Sequence, residues 1–137
     1  MISKAMLVSA LLVMTVNIGV AHADDDDWVG FYTAIDALDG SVDHLSIVQN
    51  SDGTYDIRMT SSALALCEPA QTAGWIVATG RLVGGNLVRE NVMFGCVGTD
   101  GMTPMADGTY TRDHETEILT IEGPLDRLNH YHPVHDD

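Results

Sequence analysis

The sequence predicts an all-β domain, an eight-stranded antiparallel up-and-down barrel, and three observations carry that prediction. Short segments with period-two alternation recur along residues 28–134, turn signals rich in Gly, Asn and Asp divide them at hairpin length, and no segment sustains a helical period. Closing such a meander into a barrel removes the exposed edges that invite aggregation. A two-sheet β-sandwich uses the same alternating strands and is the competing architecture.

The chain opens on an export signal, expected over residues 1–23. Lys4 supplies the positive start, residues 5–20 are an almost uninterrupted apolar run, and Ala21-His22-Ala23 is a small-x-small cleavage site. The run is short for a membrane span and is followed by four aspartates, not by a basic stop-transfer cluster. No cysteine stands at the cleavage point to carry a lipid. The expected product is periplasmic or secreted, with no membrane insertion once the signal is cleaved. Removing 23 residues from 137 leaves 114, enough chain for one domain with a core and too little for two. Residues 24–27 are expected to form a disordered acidic tail, residues 28–134 the barrel, and residues 135–137 a C-terminal tail.

Within the domain, residues 28–35 are the first predicted strand, and Leu38-Asp39-Gly40-Ser41 is its turn. Residues 44–49 are the second, closed by Asn50-Ser51-Asp52-Gly53, a strong hairpin signal because Asn and Gly accept positive φ cheaply. In residues 55–60, Tyr55, Ile57 and Met59 fall on one face and Asp56, Arg58 and Thr60 on the other, as in a half-buried strand. Residues 61–73, with Cys67 and Pro69, read as a loop or irregular edge. Residues 74–83 and 87–97 are strands four and five, joined at Gly84-Gly85-Asn86. Residues 98–108, with three glycines and Pro104, read as the longest loop, and strands at residues 109–114, 117–122 and 125–134 complete the eight.

Trp28-Val29-Gly30-Phe31-Tyr32 resembles the Gly-x-Trp opening of lipocalin-like (calycin) barrels, with Tyr32 in the tryptophan's place. The resemblance implies an aromatic plug at the closed end of the barrel, covered by a basic residue near the last strand, for which Arg127 is the nearest match. It also implies a small-molecule carrier. Size, export signal and cysteine count are similar to those of small periplasmic protease inhibitors built as disulfide-tied eight-stranded barrels, which makes a protein-interaction module the alternative.

All twenty acidic residues lie beyond the signal, whereas Lys4 is removed with it, so five arginines face twenty carboxylates and the balance moves from −14 to −15. Such a surface repels phosphate backbones and anionic headgroups and excludes nucleic acid as a partner. Cys67 and Cys96 are the available pair in an exported chain, and a structural disulfide is expected between them. Glu68 beside Cys67 opposes thiolate formation and with it a catalytic role.

The inward faces of strands one to five would line the interior, and Phe31, Ile57, Met59, Trp75 and Phe94 are the expected contacts of a small apolar or amphipathic ligand. At the C-terminus His130 and His132 point the same way on an extended chain, and His135 could complete a zinc, copper or nickel site of weak or adventitious affinity. Outward polar positions on a last strand are the simpler account of the same histidines. Arg89 and Glu90 interrupt the apolar fifth strand; whichever points inward would be a polar feature of the barrel interior, and an outward position on a wet face is the preferred reading of it. Residues 36–43, with Asp36, Asp39 and Asp43, read as a turn, because their spacing does not match a calcium loop. Glycine loops followed by helices, nucleophile elbows and Cys-x-x-Cys pairs are missing from the sequence, so no enzymatic reaction, catalytic residue or cofactor is predicted.

Overall fold

The computed structural model describes residues 25–36, 39–69, 71–123 and 128–135. The export-signal reading of residues 1–23 and the role expected of Arg127 lie outside them. After a 3-10 turn at Asp25–Trp28 come β1 (Gly30–Ile35), β2 (Val42–Gln49), β3 (Tyr55–Ser61), β4 (Gly74–Val83), β5 (Asn86–Cys96), β6 (Thr103–Pro104), β7 (Gly108–Arg112), β8 (Leu119–Glu122) and β9 (Leu128–Pro133). Around the sheet the order is β1, β2, β3, β4, β5, β7, β8, β9 and back to β1, with every neighbour antiparallel and β6 added on β5. The predicted closed eight-stranded barrel is the one observed.

Two segments differ from the sequence expectation. Asp25–Trp28 forms the 3-10 turn in place of a disordered tail, and Trp28 is buried in the core instead of opening the first strand. The long loop after β5 carries β6, which shares a single register with β7, since Phe94↔Thr103 and Leu87↔Tyr110 lie on one ladder. The two are halves of one strand, interrupted at residues 105–107, where the Met105 amide still donates to the Val92 carbonyl at 2.9 Å.

Side-chain alternation sends Leu45 and Ile47 of β2, Tyr55 and Ile57 of β3, and Leu119 and Ile121 of β8 into one core. Strand β4 contributes small residues to it. A Cβ on Gly80 would come within 2.8 Å of Ile57 Cδ1 and 2.9 Å of Leu87 Cδ1, so the large residues of β3 and β5 already fill that space. The outer face is the reverse: Trp75 of β4 lies over Gly95 of β5, its cross-strand partner, where any Cβ would collide with the indole.

A β-bulge divides β5. Val77 pairs with Met93 but Thr79 with Glu90, which leaves one extra residue on β5, and Asn91 takes it up with φ of 51°. The bulge resets the alternation. Leu87 and Arg89 point inward before it, and Val92 does so after it, with Phe94 partly buried against the core. Arg89 thus faces the interior, whereas Glu90 stays outside and pairs with Arg81 at 2.6 Å.

Cys67 and Cys96 form the expected disulfide, tying the segment between β3 and β4 to the end of β5. Leu64 and Cys67 of that segment are both buried, so it acts as a wall of the core.

Candidate functional site

The two ends of the barrel differ. At one end the 3-10 turn lies across the opening: Trp28 is buried, and the Tyr32 hydroxyl donates to the Trp28 carbonyl at 3.1 Å. Arg112 of β7 covers the same end, with only 9 % of its side chain exposed, and pairs with Glu117 at 3.0 Å and Asp27 at 3.7 Å. Burial raises the Tyr32 hydroxyl's pKa, and the Arg112 charge opposes the shift. Tyr32, the expected aromatic plug, is buried at this end with Arg112 nearby, whereas Arg127 lies outside the described residues.

The opposite end holds a cavity of about 70 Å³. Its apolar wall includes Met59, Leu64, Ile76, Met105 and Ile121 from β3, the disulfide-tied segment, β4, the interruption before β7, and β8. Its polar side is built from Asp43 at the start of β2, Ser61 at the end of β3, Arg89 in the middle of β5 and Tyr131 in the middle of β9. These residues arrive together because β2 begins where β3 ends, while alternation before the bulge points Arg89 inward, against Tyr110 of β7.

Arg89 is the unusual member. It is 8 % exposed, and its Nε has no hydrogen-bond partner. Gly108 on β7 makes room for it: a Cβ there would stand 2.9 Å from that Nε. The guanidinium carbon lies 5.9 Å from the Tyr110 ring centroid, and Tyr110 meets Tyr131 edge-on with centroids 6.3 Å apart. The Tyr131 hydroxyl then donates to Asp43 Oδ2 at 3.2 Å.

Burial dominates the electrostatics of this group. It raises the pKa of the Tyr110 hydroxyl against the opposing charge of Arg89 and a hydrogen bond with it, and it raises that of Tyr131 as well, with help from Tyr110 and Asp43. Both phenols therefore remain neutral, Tyr131 donating to Asp43 and Tyr110 accepting from Arg89. Burial also raises the Asp43 carboxyl's pKa, opposed by hydrogen bonds from Ser61 and Tyr131.

Of the interior contacts expected from sequence, Ile57 and Met59 are buried inside the barrel and Phe94 is packed partly against the core. Phe31 and Trp75 are corrected. Phe31 is 67 % exposed on the outer face of β1, and Trp75 covers Gly95 from outside. Both strands carry large apolar residues on both faces, so aromatic character does not reveal the inner one. His130 and His132 share an exposed face of β9 as expected, but His130 is hydrogen-bonded through Nδ1 to Thr120 and His135 turns to Glu117 at 3.6 Å. Among the described residues no three His, Cys, Asp or Glu side chains converge as a metal site.

Sequence reading missed the Arg89, Tyr110, Tyr131 and Asp43 group. One signal was present for the tyrosines: Tyr110 stands between two threonines and Tyr131 between two histidines, each the single large apolar side chain of its triplet. Arg89 could be placed inside only by knowing the phase of β5, which the bulge conceals.

Asp36 and Asp39 build the turn that rims this end, with the Gly40 amide donating to the Asp36 carbonyl and the Ser41 amide to Asp39 Oδ1. The site can surround the end of a small molecule with apolar wall, offer it a buried cation and hold its approach under an acidic rim. Comparison of the chain with protein-family models, with curated proteins and with solved structures finds no match.

Proposed function

We propose that this is an exported, non-enzymatic, lipocalin-like barrel that holds a small amphipathic molecule at its open end. The observation that carries the reading is the cavity itself, which combines the apolar wall of Met59, Leu64 and Ile76 with the polar side of Arg89 and Tyr131. Pockets for drug-sized ligands run to roughly 300–1,000 Å³. A space of about 70 Å³ takes a guest of a few heavy atoms, or the end of a longer one whose remainder lies at the rim. The leader sequence and a disulfide of the kind that oxidising compartments maintain support export.

Native mass spectrometry of the protein isolated gently from its exported fraction, before and after metal chelation, tests this reading. The expected result is an organic mass that survives chelation and disappears in Met59→Trp, which fills the cavity. A bare chain in every preparation would overturn the proposal, and a chelator-sensitive mass would direct attention to His130 and His132.

A second reading, a protein-interaction module, draws on the outer face of β1, where Phe31 and Ile35 are 67 % and 73 % exposed. It predicts that charged substitutions at these two positions abolish capture of an exported partner while leaving the cavity's guest in place.

A further inference from the structure

We propose that the polar group recognised inside the cavity is a single carboxylate, received by Arg89. The inference rests on the guest-binding reading and adds the chemistry of the guest. Arg89 is more than nine-tenths buried, lines the cavity, and forms no ion pair with any carboxylate of the described residues. Every other arginine among the described residues has such a partner: Arg58 has Asp56, Arg81 has Glu90, and Arg112 has Glu117 and Asp27. A charge withdrawn from water without a counterion is costly, and proteins keep one where a ligand supplies the missing charge.

Nearby groups leave that role open. Tyr110 and Tyr131 are kept neutral by burial, and the Asp43 carboxylate accepts from the Tyr131 hydroxyl. The planar guanidinium fork matches a carboxylate with two parallel N–H bonds, and one cation neutralises one negative charge. A phosphate dianion would bring a second charge into a site whose remaining charged wall group is Asp43 and whose rim carries Asp36, Asp39 and Glu122. The acidic rim also disfavours guests with a second negative charge away from the buried end. The ligand class is therefore a small monocarboxylic acid with an apolar body, its carboxylate inward and its hydrocarbon against Met59, Leu64 and Ile76.

The test titrates the full exported protein with butyrate and, in parallel, with butyramide, its neutral isostere, following the arginine Nε–H resonances by NMR. Arg89→Lys and Arg89→Met assign the Arg89 signal and report its contribution, with thermal melts to verify folding. Saturable binding of butyrate that shifts the Arg89 Nε–H, at least tenfold weaker binding of butyramide, and loss of that preference in Arg89→Met are the expected results. Arg89→Lys should retain part of the preference, because it keeps the charge and loses the fork. Equal binding of butyrate and butyramide would overturn the carboxylate assignment while leaving the guest-binding reading intact. If neither compound binds and native spectra retain an organic mass, the assignment alone falls; if no mass is retained either, both fall. Should both variants fail to fold, the wild-type comparison of the two probes still decides.

Discussion

Asp43 shows how a single side chain in this barrel sets a pH response. Its carboxyl is part-buried, and burial raises its pKa against the hydrogen bonds from Ser61 and Tyr131. A folded-state pKa above the unfolded one means that the fold prefers the protonated acid. The resulting stabilisation is complete below the unfolded carboxylate range near pH 4 and is lost as pH rises through the raised value. Once ionised, Asp43 therefore works against folding. Asp43→Asn keeps an acceptor for the Tyr131 hydroxyl and removes the charge, so its melting temperature at pH 7 should exceed that of the parent. The gain should be about 1 kcal/mol or less, because partial exposure lets water screen the penalty, and it should shrink as the pH is lowered through the raised value and vanish below the unfolded range near pH 4. Paired thermal melts across pH 3–8 check this; a variant that is less stable at pH 7 would mean that the Asp43 charge is needed within the fold, as a longer-range counterpart of Arg89.

At the scale of elements, what could be read from the sequence depended on whether a strand keeps its own phase. Tyr55, Ile57 and Met59 alternate cleanly with polar neighbours, and β3 buries the face so predicted. In β4 the rule inverts: Gly74, Ile76, Ala78 and Gly80 face inward while Trp75 faces out, because Tyr55, Ile57 and Leu87 from adjacent strands already occupy the space. That compensation is a property of neighbouring strands and has no signature within β4. Asn91 conceals β5 in the same way, since an extra residue resets its alternation midway and places Arg89 and Val92 on one side. The pairing of Cys67 with Cys96 was legible because there was no other choice.

This disulfide closes a sequence separation of 29 residues around the cavity-wall segment. Loop entropy assigns such a closure about 3.6 kcal/mol, and measured values for native disulfides run to about 2–5 kcal/mol. Replacing both cysteines by serine should lower the urea midpoint by a corresponding amount. It should also loosen the turn in which the Leu64 amide donates to the Thr72 carbonyl and the Cys67 amide to the Leu64 carbonyl. Urea denaturation of the parent and the double variant measures the first effect, and amide exchange at Leu64 and Cys67 the second. An unchanged midpoint would show that core packing alone holds the wall.

Across the whole molecule the ladder is uneven, and the unevenness locates where the barrel opens. Strands β2 to β5 are joined by long, nearly continuous pairings, from Asp43↔Ser61 to Gln49↔Tyr55 between β2 and β3 and from Gly74↔Cys96 to Val83↔Asn86 between β4 and β5. On the other side, β1 and β9 meet only at Tyr32↔Pro133 and Thr33↔His132 among the described residues, with one further bond from the Val134 amide to the Phe31 carbonyl. The β7–β8 pairing is equally short, at Thr111↔Thr120 and Arg112↔Leu119. Local opening follows the weakest cooperative unit, so hydrogen exchange should divide the barrel into a slow β2–β5 sheet and a faster β7–β9 arc, separated by one or more decades in rate. The arc carries Tyr110, Tyr131 and the Gly108 face that shelters Arg89, which couples its opening to the cavity. A bound carboxylate that bridges Arg89 to this side should therefore slow exchange in β7 and β9 more than in β3. Uniform exchange through all strands would instead mean that the barrel opens as one unit, and that its short seams are held by the Trp28, Tyr32 and Arg112 cluster at the closed end.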